Sequence, residues 1–246
     1  MIDRFDSRCL LIIPCCAAKK ASGIPLPSAP DPLMACVSED VYASVLNARA
    51  RVLASTRADS RFMREKYGKN GLIRDGSDLG GDRTDGQYFT ALDRYDGKLY
   101  RVPGFKQTVS GLASNASGAK IVILSALYGP LHPSSPIQDY NLMMSDAPAR
   151  IWNEAFGPFL EDYVRQNDIA RIFLYLGTST AYFKVARKAI AGLLKAGRLA
   201  QAVQYHVVDG STPTTPLQHG LRLLDDLDGR IDDAGRRSKG IMETSL

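Results

Sequence analysis

Histidine is scarce in this chain of 246 residues: His132, His206 and His219 are the only three, widely separated, and no H-E-x-x-H or paired C-x-x-C accompanies them. The usual zinc-ligand spacings are therefore absent, and a metal site is not expected. No G-x-x-x-x-G-K-[ST] occurs, which removes a P-loop, and no G-x-G-x-x-G follows an apolar run, which leaves a dinucleotide site unsupported. Long hydrophobic runs are missing too. The apolar residues 9–13 are far too few to span a bilayer, and the opening Met1-Ile2-Asp3-Arg4-Phe5-Asp6 is mixed in charge, unlike a secretory leader. Cysteine is limited to Cys9, Cys15, Cys16 and Cys36. Two of these are adjacent and make a poor staple, so a reducing cytoplasm is the expected setting, with no membrane partner. There is no internal repeat or heptad pattern, and nothing in the chain fixes an oligomeric state.

What is present describes a globular α/β protein. Hydrophobic residues make up 45% of the chain and charged residues 23%, enough to bury a substantial core. The formal net charge of +5 favours acidic partners, because Lys and Arg neutralise phosphates and release counterions. Four continuous apolar runs, at residues 9–13, 119–125, 169–177 and 200–208, read as buried strands. Amphipathic stretches at 40–58, 147–165, 179–196 and 216–227 read as helices. This alternation predicts a mainly parallel twisted sheet with helices on both faces. The expected organisation is a single domain over residues 1–228. It includes a polar insertion at 61–89, read as an inserted flexible loop, and is followed by a polar, frayed tail at 229–246.

Two segments carry candidate chemistry. In Ile13-Pro14-Cys15-Cys16-Ala17-Ala18-Lys19-Lys20 a strand runs into a turn bearing two thiols and two amines, at the strand end where open α/β sheets gather ligands. Lys19 or Lys20 is placed to contact a phosphate, or to act as an amine nucleophile once desolvation lowers its pKa. The second segment is Leu124-Ser125-Ala126-Leu127-Tyr128-Gly129-Pro130-Leu131, running on to Ile137-Gln138-Asp139-Tyr140. Gly129 permits close backbone approach, Tyr128 and Tyr140 offer rings for base stacking, and Asp139 is a carboxylate for activating water or stabilising a cationic sugar. A third stretch, Tyr95-Asp96-Gly97-Lys98-Leu99-Tyr100-Arg101, mixes aromatic and basic residues around an Asp-Gly turn. A bland alternative stands beside each: solvated lysines, packed tyrosines, an ordinary turn.

These residues resemble a known group. The Ser125 to Leu131 segment with its following Tyr140, and the Tyr95 to Tyr100 stretch upstream, are similar to the YaaA-like (DUF328) family and its DUF6884 relatives. The Pro14-Cys15-Cys16-Ala17-Ala18-Lys19 turn also resembles the catalytic-domain turn of archaeosine synthases. The resemblance implies a link to nucleic acid, through DNA binding and peroxide protection in the first group and a modified guanine base of tRNA in the last.

The expected function is a base-processing enzyme, foremost a DNA glycosylase that extrudes a modified or damaged base and hydrolyses its N-glycosidic bond without a cofactor. Asp139 and Lys19 are the expected catalytic residues. Ser125, Tyr128, Gly129, Gln138, Tyr140 and Cys15 are expected to hold the base, and Lys20, Arg94, Lys98, Arg101 and Lys106 the phosphates. The partner is nucleic acid, DNA ahead of RNA. The alternatives are a non-catalytic DNA-binding protein that protects DNA in oxidative stress, a lysine-dependent transferase on a modified guanine, and a small-molecule enzyme on the same scaffold.

Overall fold

A computed structural model of the chain describes residues 5–25, 30–62, 65–73, 87–207, 214–227 and 241–246. Four parallel strands form its centre: β1 (Cys9–Pro14), β3 (Lys120–Ser125), β6 (Arg171–Leu174) and β7 (Gln201–Val207), where β2 (Phe89–Thr90) is a short strand outside this sheet. Two antiparallel strands, β4 (Gly129–Leu131) and β8 (Ile241–Ser245), close the edges, β5 (Pro136–Ile137) pairs with β2, and the sheet order is β4-β3-β1-β6-β7-β8. β1 lies in the middle, with Leu10 opposite Lys120 on one side and Cys9 opposite Arg171 on the other. Its residues Cys9 to Ile13 have no exposed surface, as expected for a strand covered on both faces.

The helices are α1 (Glu39–Ala58), α2 (Ala91–Arg94), α3 (Phe105–Ala113), α4 (Asp146–Gln166), α5 (Ala181–Lys195) and α6 (Thr215–Leu227). α1 and α5 each pack against α4 in one layer, while α3 packs on α2, α6 and β3 in the other. α4 buries Trp152, Phe156, Phe159, Leu160 and Tyr163, spaced to fall on one face of a helix. α5 begins where the Thr180 side chain accepts from the Phe183 N–H. The expected α/β architecture is therefore found, and among the described residues no helix is long and apolar enough to cross a membrane.

Two expectations about the periphery need correcting. The tail 229–246 is not frayed throughout, because Ile241–Ser245 forms β8, with Met242 opposite His206. Its side chains are mostly exposed, so the pairing is a backbone matter that leaves no apolar pattern to read. The stretch 61–89 is docked at both ends. Asn70 and Ile73 are buried, the Ile73 carbonyl accepts from Arg57, and Tyr88 bridges to Ile24 ahead of β2. Residues 74–86 of that stretch lie outside the described residues.

The connection from β3 to β4 is held from below by a buried ion pair. Arg49 of α1 donates to the carbonyls of Tyr128 (2.8 Å) and Pro130 (3.1 Å) and reaches Asp31 at 3.4 Å. Asp31 in turn accepts from Ser135 Oγ, Tyr42 Oη and the Leu33 N–H. At the corner itself Gly129 has φ +66°, and a Cβ there would lie 2.2 Å from the Trp152 ring. What approaches Gly129 closely is thus an indole of the core and not a ligand. Gly129→Ala is expected to cost about 2–4 kcal/mol, from left-handed backbone strain plus overpacking. Urea denaturation measures it, and a midpoint equal to wild type would refute this account of the corner.

Candidate functional site

The amine-bearing turn hangs from the end of β1. Cys15 N–H donates to the Leu124 carbonyl, extending the sheet by one bond, and Tyr100 Oη donates to the Pro14 carbonyl. The turn is then laced to residues 94–97. Lys20 N–H donates to the Arg94 carbonyl, Asp96 N–H to the Ala18 carbonyl, and Gly97 N–H to Cys16 Sγ at 3.2 Å. A Cβ at Gly97 would fall 2.7 Å from Cys16 Cβ, so the Asp-Gly turn exists to let the two segments touch. This lacing directs Lys19 inward. Its Nζ donates to the Cys16 carbonyl at 2.8 Å and sits 4.0 Å from the centroid of the Tyr140 ring. Desolvation pushes the Lys19 pKa below that of an ordinary lysine, against the pull of Cys15, Cys16 and Asp139. The Cys16 thiol is pushed up to about 11 by burial.

Beneath the amine runs a ladder of hydroxyls. Ser125 Oγ lies 2.7 Å from Tyr140 Oη, which lies 2.8 Å from Tyr95 Oη, and Ser125 Oγ also accepts from the Tyr128 N–H. Burial holds the Tyr95 and Tyr140 phenols well above the usual tyrosine range, so both stay protonated. Asp139, next in the chain to Tyr140, keeps a quarter of its side chain exposed and accepts from Lys69 Nζ through both oxygens at 3.1 Å. Lys69 is held there because its neighbour Asn70 exchanges two hydrogen bonds with the Asn141 backbone. The site thus gathers an amine, a carboxylate, a second cation and neutral phenols. Lys69 comes from the stretch read as an insertion, and nothing in its local sequence ties it to Asp139.

Several expected contacts lie elsewhere. Tyr128 is buried, its hydroxyl accepting from the Gln138 N–H and its ring edge-on to Tyr140, so it is a strut and not a free stacking platform. Tyr140 and Ser125 are likewise fully buried, and Gln138 nearly so. Arg94 was expected to grip phosphate, yet it has no exposure: its guanidinium donates to the carbonyls of Lys20, Ser22 and Gln87. Backbone carbonyls from two other segments claim its terminal nitrogens, which composition cannot reveal. Of the remaining cations Lys20, Lys98 and Arg101 are exposed, whereas Lys106 is half-buried and donates to the Asp93 carbonyl at 3.2 Å. Lys20, Arg101 and Lys106 all act on Asp96, with Arg101 bonded to it at 2.7 Å, and Lys98 is exposed in the same turn.

A cavity of about 350 Å³ opens beside this cluster, at the carboxyl ends of β1, β6 and β7. Cys15 belongs to both regions, with its Sγ 3.1 Å from Tyr182 Oη across the cavity wall. On the far side Thr178 Oγ1 lies 3.3 Å from His206 Nδ1, and the buried His219 holds the Tyr205 carbonyl at 3.1 Å through Nε2. Burial lowers the His219 pKa to about 4, so its ring is neutral at pH 7. Tyr182, Thr178 and the two histidines were not expected here. Three of the four follow strands or lie on helices assigned from the sequence, so strand-end position was the available signal. Among the described residues no group of His, Cys, Asp and Glu is arranged to hold a metal ion.

A family model described as peroxide stress protein YaaA matches residues 51–211, well over half of the chain. The chain belongs to the YaaA family. Asp139, Tyr140, Tyr95, Lys69 and the wall of the cavity from Gly177 to Val207 fall inside the YaaA match, whereas the Lys19 turn and β1 precede it. No curated protein matches the chain.

Proposed function

We propose that this YaaA-family protein acts on a base of nucleic acid, DNA ahead of RNA, and breaks its N-glycosidic bond at the site that holds Lys19 and Asp139. The observation that carries the reading is the Lys19 amine, desolvated over Tyr140 and electrostatically coupled to Asp139. A perturbed lysine in such a setting is a functional group by physical expectation. In the reaction, the Lys19 lone pair forms a bond to the sugar C1′ while the glycosidic bond breaks towards the base, which leaves with the electron pair and takes up a proton. Asp139 opposes the positive charge that develops on the sugar. The Lys19 nitrogen then loses a proton and the sugar ring opens at the C1′–O4′ bond to give an imine, which water hydrolyses to release the sugar and restore the amine. Lys20, Lys98, Arg101 and Lys106 supply the cationic rim for the phosphates. This chemistry requires no cofactor. Four free thiols suit a reducing compartment, the cytoplasm.

A second reading is a protein that binds and shields DNA in oxidative stress without turnover; the family description, peroxide stress protein YaaA, fits its protective role. Mass spectrometry of small molecules released from ordinary, oxidised, uracil-containing and glucosylated DNA separates the two. A free base that appears with wild type and is lost in Asp139→Asn supports cleavage. DNA retained in a salt-dependent manner by both proteins, with no base released, supports shielding. A covalent adduct of a modified guanine on Lys19 would move the assignment to a transferase.

A further inference from the structure

Ser125, Tyr128 and Tyr140, read from sequence as base contacts, are buried and leave no room for a base: Ser125 and Tyr140 are closed into the hydroxyl ladder, and the Tyr128 hydroxyl accepts from the Gln138 N–H. The neighbouring cavity has that room. We propose that the cavity at the ends of β1, β6 and β7 is a pocket for a neutral heteroaromatic base or its nucleoside, an inference that rests on the base-processing reading and names where the base goes.

Four observations converge on this ligand. The volume of about 350 Å³ lies at the small end of the range for small-molecule pockets, about 300–1,000 Å³, which suits a base with its sugar. The described lining contains no Lys, Arg, Asp or Glu, so it offers no counter-charge to a phosphate or an amine. Its polar groups are instead hydroxyls and imidazoles: Thr178, Ser179, Tyr182, Thr215, His206 and His219. Such groups can both donate and accept, matching the mixed edge of a base, and His206 is oriented for this by its contact with Thr178. Contiguity completes the case. Cys15 lines the cavity, and its neighbour Cys16 supplies the carbonyl that anchors Lys19 Nζ. A nucleotide of a nucleic-acid chain with its base seated in the cavity would therefore carry its sugar towards the amine, with the phosphates left outside, near the cationic rim.

Saturation-transfer NMR and calorimetric titration with the four deoxynucleosides test this, with deoxyribose 5-phosphate and inorganic phosphate as controls. At least one nucleoside is expected to bind wild type saturably while both phosphates do not. Affinity should fall about tenfold or more in Thr178→Val and in His206→Leu, the loss of one or two hydrogen bonds, and persist in Lys19→Ala. Thr178→Val is the milder change, and its thermal unfolding checks that the fold is kept. Binding of the phosphates in place of nucleosides, binding indifferent to Thr178 and His206, or no nucleoside binding would each overturn the pocket. The chemistry is judged separately: nucleoside binding with no base release from any DNA would leave the pocket standing and remove the glycosidic reaction, whereas base release undisturbed by Thr178→Val and His206→Leu would do the reverse.

Discussion

Lys19→Ala is expected to lower the rate of base release by about 10²–10⁴, the span associated with removing a positioned proton-transfer or nucleophilic group. The sign of the pH dependence follows from the environment of the amine. Burial among Cys16, Tyr95 and Tyr140 disfavours the ammonium form, so the Lys19 pKa lies below the usual lysine value. In the proposed reaction only the neutral amine attacks. The rate should therefore rise with pH along a limb centred below the ordinary lysine titration, and that limb should vanish in Lys19→Ala. Lys19→Arg should not restore activity, because a guanidinium does not deprotonate. Borohydride treatment during turnover should leave a reduced sugar adduct on a peptide containing Lys19. A Lys19→Ala protein with the wild-type rate and pH profile would remove the amine from the mechanism.

The largest expected effect on stability is at Arg49, far from any solvent. Arg49→Met should destabilise the fold by about 3–5 kcal/mol, because Asp31 would be left as an uncompensated buried charge. The same change also removes the donors that hold the Tyr128 and Pro130 carbonyls. Those carbonyls fix the corner that leads into the Asp139 loop, so base release should fall in step with the loosened structure. Urea denaturation gives the cost directly. Asp31→Asn combined with Arg49→Met should lose less than the two single variants added together, since one change relieves the charge the other strands. A loss under about 1 kcal/mol in Arg49→Met would mean that water reaches Asp31 and the pair is not buried as described.

The contrast between Arg49 and Lys19 shows what the amino-acid sequence can disclose. The four parallel strands are legible because each is a continuous apolar run, and their long helices because large apolar residues recur at helical spacing. β4 and β8 are not, because one is a three-residue corner around Gly129 and the other pairs through its backbone with exposed side chains. In the site, the Lys19 turn and the Asp139 segment are legible as chain that follows strands, whereas the Tyr95 segment follows the short helix α2 and meets the Lys19 turn through a backbone bridge between residues distant in the chain. The roles within it are less so. Arg94 and Tyr128 have the residue types of a binding surface, yet tertiary carbonyls and amides claim them. Lys69 reads as one solvated lysine in a polar stretch until Asn70 pins it beside Asp139. Side-chain direction at these positions is set by contacts distant in the chain, which no local pattern encodes.

The central position of β1 bears on how the protein folds. Its partners on either side, from Lys120 and from Arg171 onward, lie far downstream, so the strand that suspends the Lys19 turn is fixed only after two long loops have closed. Contacts of this range slow folding and tie the last stages of assembly to one cooperative step. The Lys19 turn and the cavity rim then form together with the sheet and not ahead of it. A ligand held there stabilises the whole domain, by about 2.7 kcal/mol at a hundred times its dissociation constant, and melting temperature becomes a direct readout of occupancy.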